Sequence, residues 1–527
     1  MVTYPMTFPA AEVKRLIDFA SAAEQIEDFN CTLSGEEIER LLKIVQTSEY
    51  YKPVGVRWDS TSSDPTLTVI DINGTRITPT TTWFDNHWLW GDMELVVRNR
   101  STGVISKGSN PRGDGLTIDG TAGDVLVKIR VPRYLYTSAS PYRYLWFFPD
   151  IDEYSQLPYY PAAYQRGGVA HPVIYVGAKE ASFRVDSSGN ILLQSVAGVL
   201  PATGSRTYNL AFTSGNTAFT VGETITGATS GATGTVIAFY KVSGDWAAGT
   251  ASGNVYLQPC SASAATPVNF SAAENITRTS GSAVATAAAT AISLNIDQAE
   301  DYANAIGSGF GITNIWTQRL IAWMMAIEGG SFNTQYKWGK GVVDLNATTG
   351  SPLACGADSI DLTANAAENG TGRGTGTDGL TPVKYRSLEN PGYGNVWEWQ
   401  IGLNANADGS YHILNRDGAG TTAAMPATLT SDMYDTITGL PTTAGFISGL
   451  STDERGFLAG LASAVVGDNS TYLCDYHTPS AISGSAARVG GRWSSGNFAG
   501  PFMIDMNVAV TLSDKYTGCR IEYYPEV

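Results

Sequence analysis

The sequence predicts an α+β protein in which short strands and turns dominate and helices are few. Charged residues make up only 16% of the 527 residues, well below the ~25% usual for soluble domains. Glycine (57), tyrosine (26) and tryptophan (12) take their place, a mixture typical of strands, turns and aromatic-rich surfaces. Helical periodicity is confined to a few segments at the N-terminus and near residues 297–327.

Residues 1–50 are predicted to form an N-terminal helical element. Val13, Leu16, Ile17 and Ala20 follow the i, i+3, i+4, i+7 spacing of one helix face, and Ser34 with Glu37 has capping-box spacing. Helices this short must pack on the rest of the chain or on another subunit. The element is therefore either a local cap or an assembly or attachment element.

Residues 51–133 are predicted to be a β-rich region, with strands near Leu67–Ile72, Trp88–Val97 and Val125–Val131. The next stretch, 134–164, is dense in tyrosine, tryptophan, phenylalanine and proline. Such aromatics can fill a core or form a stacking platform for sugar rings.

Residues 205–292 stand apart in composition and are expected to form a small all-β module. They are nearly free of charge, and β-formers alternate with Gly, Ala, Thr and Ser turns. The segment Thr220–Tyr240 resembles the β-rich repeats of bacteriophage tail and structural proteins. A flexible linker is the alternative.

Two helices are predicted after this module, at 297–306 and 315–327. Asn314 is a plausible N-cap of the second helix, and Gly329-Gly330 a plausible stop. Its apolar residues surround the whole helix, which indicates burial. We therefore expect 134–204 and 293–527 to form one domain that carries 205–292 as an insertion.

The charge and the cysteines narrow the classes of function. A net charge of −16 disfavours nucleic acid as a partner, although it also serves solubility. Five scattered cysteines, without a Cys-x-x-Cys pair, argue against a disulfide framework or zinc site, but Cys474 and Cys519 could pair. The N-terminus does not look like a secretory signal, and no apolar run is long enough to insert into a membrane.

Three short motifs follow one another in the last third of the chain. The first is Gly394-Asn395-Val396-Trp397-Glu398-Trp399, the second Arg488-Val489-Gly490-Gly491-Arg492-Trp493, and the third Gly518-Cys519-Arg520-Ile521. Gly394 and the glycine pair permit tight turns and close backbone approach. Arg520 could pair with Glu398 and tie the C-terminal strand to the first motif.

In this order the motifs resemble the formylglycine-generating-enzyme branch of the C-type-lectin-like fold. That branch includes the variable proteins of diversity-generating retroelements, among them phage tropism determinants. The resemblance implies a scaffold role for Gly394, Asn395, Trp397, Glu398, Trp399, Gly490, Gly491, Trp493, Gly518 and Arg520.

In the variable proteins, the stretch between the second and third motifs displays exchangeable side chains on a fixed backbone. By position, the predicted ligand-binding face comprises Arg492, Ser494, Ser495, Asn497, Phe498, Phe502, Ile504, Asp505, Asn507, Lys515 and Tyr516. Diverse side chains on a rigid scaffold suit a binding surface.

Enzymes of the same branch need reactive cysteines just after the glycine-pair motif, and 490–518 contains none. A formylglycine-generating type of oxidase is therefore disfavoured, and no catalytic residue or cofactor is predicted. The triplets of calcium-dependent lectins are absent, although a structural Ca²⁺ could sit in the turn Asn415-Arg416-Asp417-Gly418. A structural virion protein without ligand binding is another alternative.

We expect a receptor-binding protein of a virion, made in the host cytoplasm and placed on a phage tail or similar appendage. Its expected partners are a host-surface protein or glycan and other virion proteins. The tropism-determinant resemblance implies a homotrimer, whose avidity would compensate for weak single sites.

Overall fold

The computed structural model describes residues 49–160, 165–166, 169–259, 269–278, 281–347, 350–356, 379–414 and 434–525. Short strands far outnumber helices in these residues, so the chain is α+β and mostly β, as the composition predicted. The predicted helical element at 1–50 lies outside the described residues, apart from a 3-10 turn at Glu49–Tyr51. No helix in the described part is long and apolar enough to cross a membrane.

Two antiparallel sheets form the first part of the molecule. The four-stranded sheet has the order Thr68–Ile70, Val54–Asp59, Tyr142–Phe148 and Arg133–Ala139. The six-stranded sheet has the order Phe310–Ile312, Ile521–Tyr523, Val173–Gly177, Asp124–Arg130, Glu94–Arg98 and Ile105–Lys107. Strands from both sides of residue 133 share these sheets and one apolar core, so the expected division at this residue is not a structural boundary.

A large mixed sheet carries the first two sequence motifs. Its order is Tyr434–Ile437, Tyr411–Leu414, Trp397–Ala405, Ser485–Gly490, Gly500–Val508, Tyr476–Thr478 and Gly445–Phe446, and Thr517–Gly518 pairs with Trp397–Ala405 off this path. The remaining small ladders join Ser182–Val185 to Ile191–Gln194, Lys384–Tyr385 to Leu388–Glu389, Gly449–Leu450 to Ala462–Ala464, and Gln165–Arg166 to Val169–Ala170.

The helices of the described part are Thr81–Asn86, Ile296–Asn304, Ile315–Gly329, Thr334–Trp338 and Glu454–Leu458, and further 3-10 turns lie at Asp152–Tyr154 and Gly496–Phe498. The predicted N-cap Asn314 accepts hydrogen bonds from the backbone N–H groups of Trp316 and Thr317. Gly330 ends the same helix in the left-handed conformation, and the helix is buried from Ile315 to Ile327. These predictions are confirmed.

Strands between Tyr208 and Ala291, which we call the β module, form a sheet of their own. Its six main strands are Tyr208–Gly215, Thr224–Gly227, Thr233–Ser243, Ala251–Gln258, Asn275–Arg278 and Gly281–Ala285, and Thr290–Ala291 adds to the edge. The first strand pairs with both the fourth and the sixth, so the sheet closes into a barrel with its own apolar core. Closure leaves few free strand edges.

The β module is built from two equivalent halves. Phe219, Glu223 and Ile225 have the spacing of Phe270, Glu274 and Ile276, and both sets precede or begin a hairpin. Exchanging strands one to three for strands four to six leaves the set of strand pairings unchanged. Thr226 and Thr277, equivalent in the two halves, are paired directly across the second and fifth strands. The barrel therefore has an internal pseudo-two-fold axis.

The two ends of the β module lie side by side. The backbone N–H of Ile292 donates to the Thr207 carbonyl at 2.7 Å. Ser513, in the loop before Lys515, accepts a hydrogen bond from the backbone N–H of Leu294 at 2.8 Å. The root of the module is thus tied to the loop that precedes the third motif.

Candidate binding face and its supporting frame

The three sequence motifs meet at one strand, Trp397–Ala405. On one side Glu398 pairs with Val489 and Trp399 with Arg488 in an antiparallel ladder. On the other side Trp397 pairs with Thr517 and Glu398 with Gly518 in a parallel ladder. We call these three strands, together with Arg520, the motif frame.

A buried ion pair ties the frame together. Arg520 Nη2 lies 2.7 Å from Glu398 Oε1, and both side chains are 2% exposed. The same guanidinium donates to the carbonyl oxygens of Gly177, Glu389 and Asn390. The predicted pairing of Arg520 with Glu398 is confirmed, and it joins segments that are far apart in the sequence.

The glycines of the motifs occupy positions that exclude a side chain. Gly394 and Gly490 both have φ of +87°, and a Cβ on Gly490 would lie 2.2 Å from the Gly392 carbonyl oxygen. Asn395 also adopts a left-handed conformation, and its carbonyl accepts a hydrogen bond from the Trp493 N–H at 2.9 Å. The turns of the first and second motifs are therefore bonded directly to each other.

The motif tryptophans are buried, but in different surroundings. Trp399 is fully buried in the main core, and its indole N–H donates to the Leu294 carbonyl. The Arg488 guanidinium lies 4.8 Å from the centre of the Trp397 ring. Trp493 packs 5.1 Å from the Tyr516 ring. All three support the surface from below rather than forming it.

A buried polar cluster lies behind the frame. The Asn395 side chain donates to the Glu180 carboxyl, and Lys179 pairs with Glu389. Burial, and then the nearby Glu398 carboxylate, raises the pKa of Glu180 to about 8. The cluster is closed to solvent and offers no access for a ligand.

The loop from Arg492 to Phe498 lies on the outside of this frame and is held firmly. The Ser495 hydroxyl accepts from the Arg492 N–H at 2.9 Å, and the Ser494 hydroxyl accepts from Arg492 Nε at 3.0 Å. Gln335 donates to the carbonyl oxygens of Gly496 and Ala499. These bonds fix the backbone, while the Asn497 and Phe498 side chains remain exposed.

Two cations share one tyrosine beside this loop. The Arg492 guanidinium lies 3.8 Å from the centre of the Tyr516 ring, and Lys515 Nζ lies 5.2 Å from it. The structure thus brings together seven of the eleven predicted face residues: Arg492, Ser494, Ser495, Asn497, Phe498, Lys515 and Tyr516. We call these seven residues the loop face.

Four other predicted face residues do not belong to it. Phe502 and Ile504 are fully buried, and Phe502 packs 5.1 Å from Trp323. Asp505 is 8% exposed and forms an ion pair with Arg488 at 2.8 Å. The prediction that these three are displayed is wrong, because the strand Gly500–Val508 is covered on both sides.

Asn507 is exposed, but it lies near the far end of the same strand. At about 3.3 Å per residue, it is on the order of 20 Å from the start of that strand beside Phe498. Its side chain accepts from the Ala481 N–H instead. The structure therefore places it away from the loop face.

Two aromatic residues that the sequence did not indicate adjoin the loop face. The Phe498 ring lies 4.6 Å from Tyr476 and 5.5 Å from Phe446. Phe446 and Tyr476 stand on neighbouring strands of the large sheet, which pair at these two residues. No local signal links them to Phe498, because only the sheet order brings them together.

No reactive or metal-binding cluster accompanies this surface in the described residues. Cys355, Cys474 and Cys519 are free and buried, so Cys474 and Cys519 are not paired. Burial raises the pKa of the Cys519 thiol, which disfavours the thiolate. No group of three His, Cys, Asp or Glu side chains there could hold a metal ion. The turn 415–418 lies outside the described residues.

No protein-family model matches the chain, and no curated protein is significantly similar to it.

Proposed function

We propose that the chain is a ligand-binding protein that displays the loop face on a C-type-lectin-like scaffold of the formylglycine-generating-enzyme type. The observation that carries this proposal is the motif frame. Three motifs distant in sequence are joined by two ladders and one buried ion pair, directly beneath an exposed loop. Such an arrangement separates fold maintenance from display, as a variable binding site requires.

The loop face has the chemistry of a recognition surface. Tyrosine, arginine, serine and asparagine combine large contact area with adaptable hydrogen bonding. The backbone bonds of the loop reduce the entropy lost when a ligand binds. We propose host-surface recognition on a phage tail or similar virion appendage, in which a homotrimer would add avidity.

The absence of cysteine between residues 490 and 518 favours binding over a formylglycine-generating type of oxidation. The proposal therefore assigns the chain no catalytic residue. Its ligand would be a protein or glycan of the host surface. Gene context offers a separate test of diversification. A neighbouring reverse transcriptase and a near-copy of the Arg488–Arg520 coding region, differing at adenines, are expected if the loop face is diversified.

Attachment to host cells tests the binding function directly. A variant with Ser494, Asn497, Phe498 and Lys515 all changed to alanine should lose attachment while keeping its thermal unfolding midpoint. The matched control changes Ser282, Asn275, Val242 and Lys241, which are exposed on the β module. Attachment should survive in the control. Equal attachment by wild type and the loop-face variant would refute the site.

A further inference from the structure

A concave surface lies apart from the loop face. A cleft of about 250 Å³ opens between the four-stranded sheet and the segment 448–473. Its apolar wall includes Trp58 and Phe332, which are almost fully buried. The volume lies just below the ~300–1,000 Å³ of pockets for drug-sized ligands, which suits a single sugar ring.

An arginine is held in place at this cleft without a carboxylate partner. Arg143 Nη1 donates to the Tyr136 hydroxyl at 2.7 Å and to the Ser451 carbonyl at 3.1 Å. Within the described part of the chain, Arg143 forms no ion pair. These two bonds fix the guanidinium and leave its remaining donors for a ligand.

Acceptors line the same cleft. Asp59 and Asp64 each use Oδ1 to accept hydrogen bonds within their own turns, from Thr61 and Thr66. Four serines add hydroxyl groups to the wall. One cation and two carboxylates together disfavour both a simple anion and a simple amine. A neutral polyol matches them, because each hydroxyl can donate and accept.

The walls of the cleft are fixed to each other. Tyr472 lines the cleft with a left-handed backbone (φ 56°), and its N–H donates to the Ser63 carbonyl at 2.8 Å. A non-glycine residue in this region is a local strain that often accompanies function. On the same wall, a Cβ on Gly449 would lie 2.9 Å from the Ser463 hydroxyl, so a side chain there would narrow the cleft.

An aromatic stripe lies on the opposite face of the same sheet from Trp58 and Arg143. Asp59 is directly opposite Tyr142, and Tyr144 and Trp146 follow on the same face. The centres of the Tyr144 and Trp146 rings lie 5.4 Å apart and the rings stack. The Trp146 ring also packs directly on the backbone of Gly55, where a side chain would clash with it. These rings therefore do not line the cleft, and a variant of one of them serves as a control for ligand binding there.

We propose that this cleft binds one ring of a neutral carbohydrate. The site shares no residue with the loop face and does not depend on the function proposed for it. The proposed carbohydrate site is therefore separate from the binding site proposed at the loop face.

Ligand-observed NMR with the full chain tests this site. The probes are methyl glycosides of glucose, galactose and mannose, with glucuronate and glucosamine as charged counterparts. We expect millimolar binding of at least one neutral glycoside. Arg143→Gln and Gly449→Val should each weaken glycoside binding about tenfold or more. Tyr144→Ala, on the opposite face of the sheet, should leave glycoside binding unchanged.

Arg76→Gln, at an exposed arginine outside the cleft, and the loop-face variant should bind the glycosides like wild type. Thermal unfolding shows whether each variant is folded. If Gly449→Val does not fold, the binding measured for Arg143→Gln alone tests the proposal. The proposal is overturned if no neutral glycoside binds, if glucuronate or glucosamine binds more tightly, or if folded Arg143→Gln binds undiminished.

Discussion

The motif frame and the β module are both built of paired strands, but different interactions hold them together. In the frame, Arg520 reaches Glu398 across 122 residues, and Lys179 reaches Glu389 across 210. In the β module, neighbouring hairpins enclose an apolar core. Its buried carboxylate, Glu274, accepts from the nearby backbone of Ser230 and Ser271.

Charge distinguishes the two regions as well. Residues 205–292 contain three basic and three acidic residues, so the module region is neutral in a chain of net charge −16. The frame instead concentrates buried charges behind the loop face. The comparison teaches that the position of the loop face depends on distant polar partners, whereas the module depends on apolar packing between repeated hairpins.

The largest expected effect is the loss of the buried ion pair of the frame. Arg520→Ala leaves Glu398 buried and unpaired, which typically costs about 3–5 kcal/mol of the free energy of unfolding. Arg455→Ala is the control, because Arg455 pairs with Asp435 and Asp453 at the surface and should cost about 0–1 kcal/mol. Urea unfolding measures both. Equal costs would show that the frame does not depend on its buried pair.

Truncating a strand residue behind the loop face should have a comparable or slightly smaller effect. Phe502→Ala removes a fully buried ring that packs on Trp323 and should cost about 3–5 kcal/mol. Phe498→Ala is the matched control, since its ring is 47% exposed, and should cost no more than about 1 kcal/mol. Chemical unfolding of the two variants decides between core and display. If Phe498→Ala cost more free energy of unfolding than Phe502→Ala, Phe502 would belong to the binding surface and not to the core.

These two phenylalanines show how far sequence reasoning reaches. Local signals predicted the Asn314 cap correctly, and the motif pattern predicted the pair of Arg520 with Glu398. The family resemblance placed Phe502 on the binding face only by its position between the second and third motifs. Helix Ile315–Gly329 packs against the strand that carries Phe502, and this contact leaves no periodic trace in the strand itself.

Long-range placement explains the other gaps. Phe446 joins Phe498 only through the order of the large sheet, and Arg143 reaches its cleft only through the docking of the segment 448–473. The composition of residues 205–292 predicted an all-β module, but it did not predict that the strands close into a barrel. Its repeated phenylalanine, glutamate and isoleucine spacing could have been found by comparing the segment with itself.

The two halves of the β module should respond alike to truncation. Ile225→Ala and Ile276→Ala each remove a fully buried side chain at equivalent positions and should cost about 2–5 kcal/mol. The two costs should agree within about 1 kcal/mol, because the surrounding strand pairings are the same. Both variants should retain the binding properties of the loop face. Strongly unequal costs, measured by urea unfolding, would contradict the internal symmetry.

The smallest expected effect, taken per pH unit, is on the pH dependence of stability, and it has opposite signs in the two regions. The folded state raises the pKa of Glu180 from 4.5 to about 8, so between these values the folded state binds more protons than the unfolded state. Stability therefore falls as pH rises through this window, by at most about 1.4 kcal/mol per pH unit from this group. Glu180→Gln should flatten that slope.

Glu274 is the matched control in the β module. Burial alone would raise its pKa, but hydrogen bonds from Ser230, Ser271 and Thr229 outweigh burial and lower it. Its contribution is therefore present above the unfolded pKa and is lost as pH falls. Glu274→Gln should destabilise the protein more at neutral than at acidic pH. Glu180→Gln should instead stabilise the protein, and this gain should be larger near pH 8 than at acidic pH. Urea unfolding of both variants across this pH range measures the two trends. If both variants show the same trend, the two carboxyl groups do not differ in environment. The electrostatic difference between the motif frame and the β module would then be refuted.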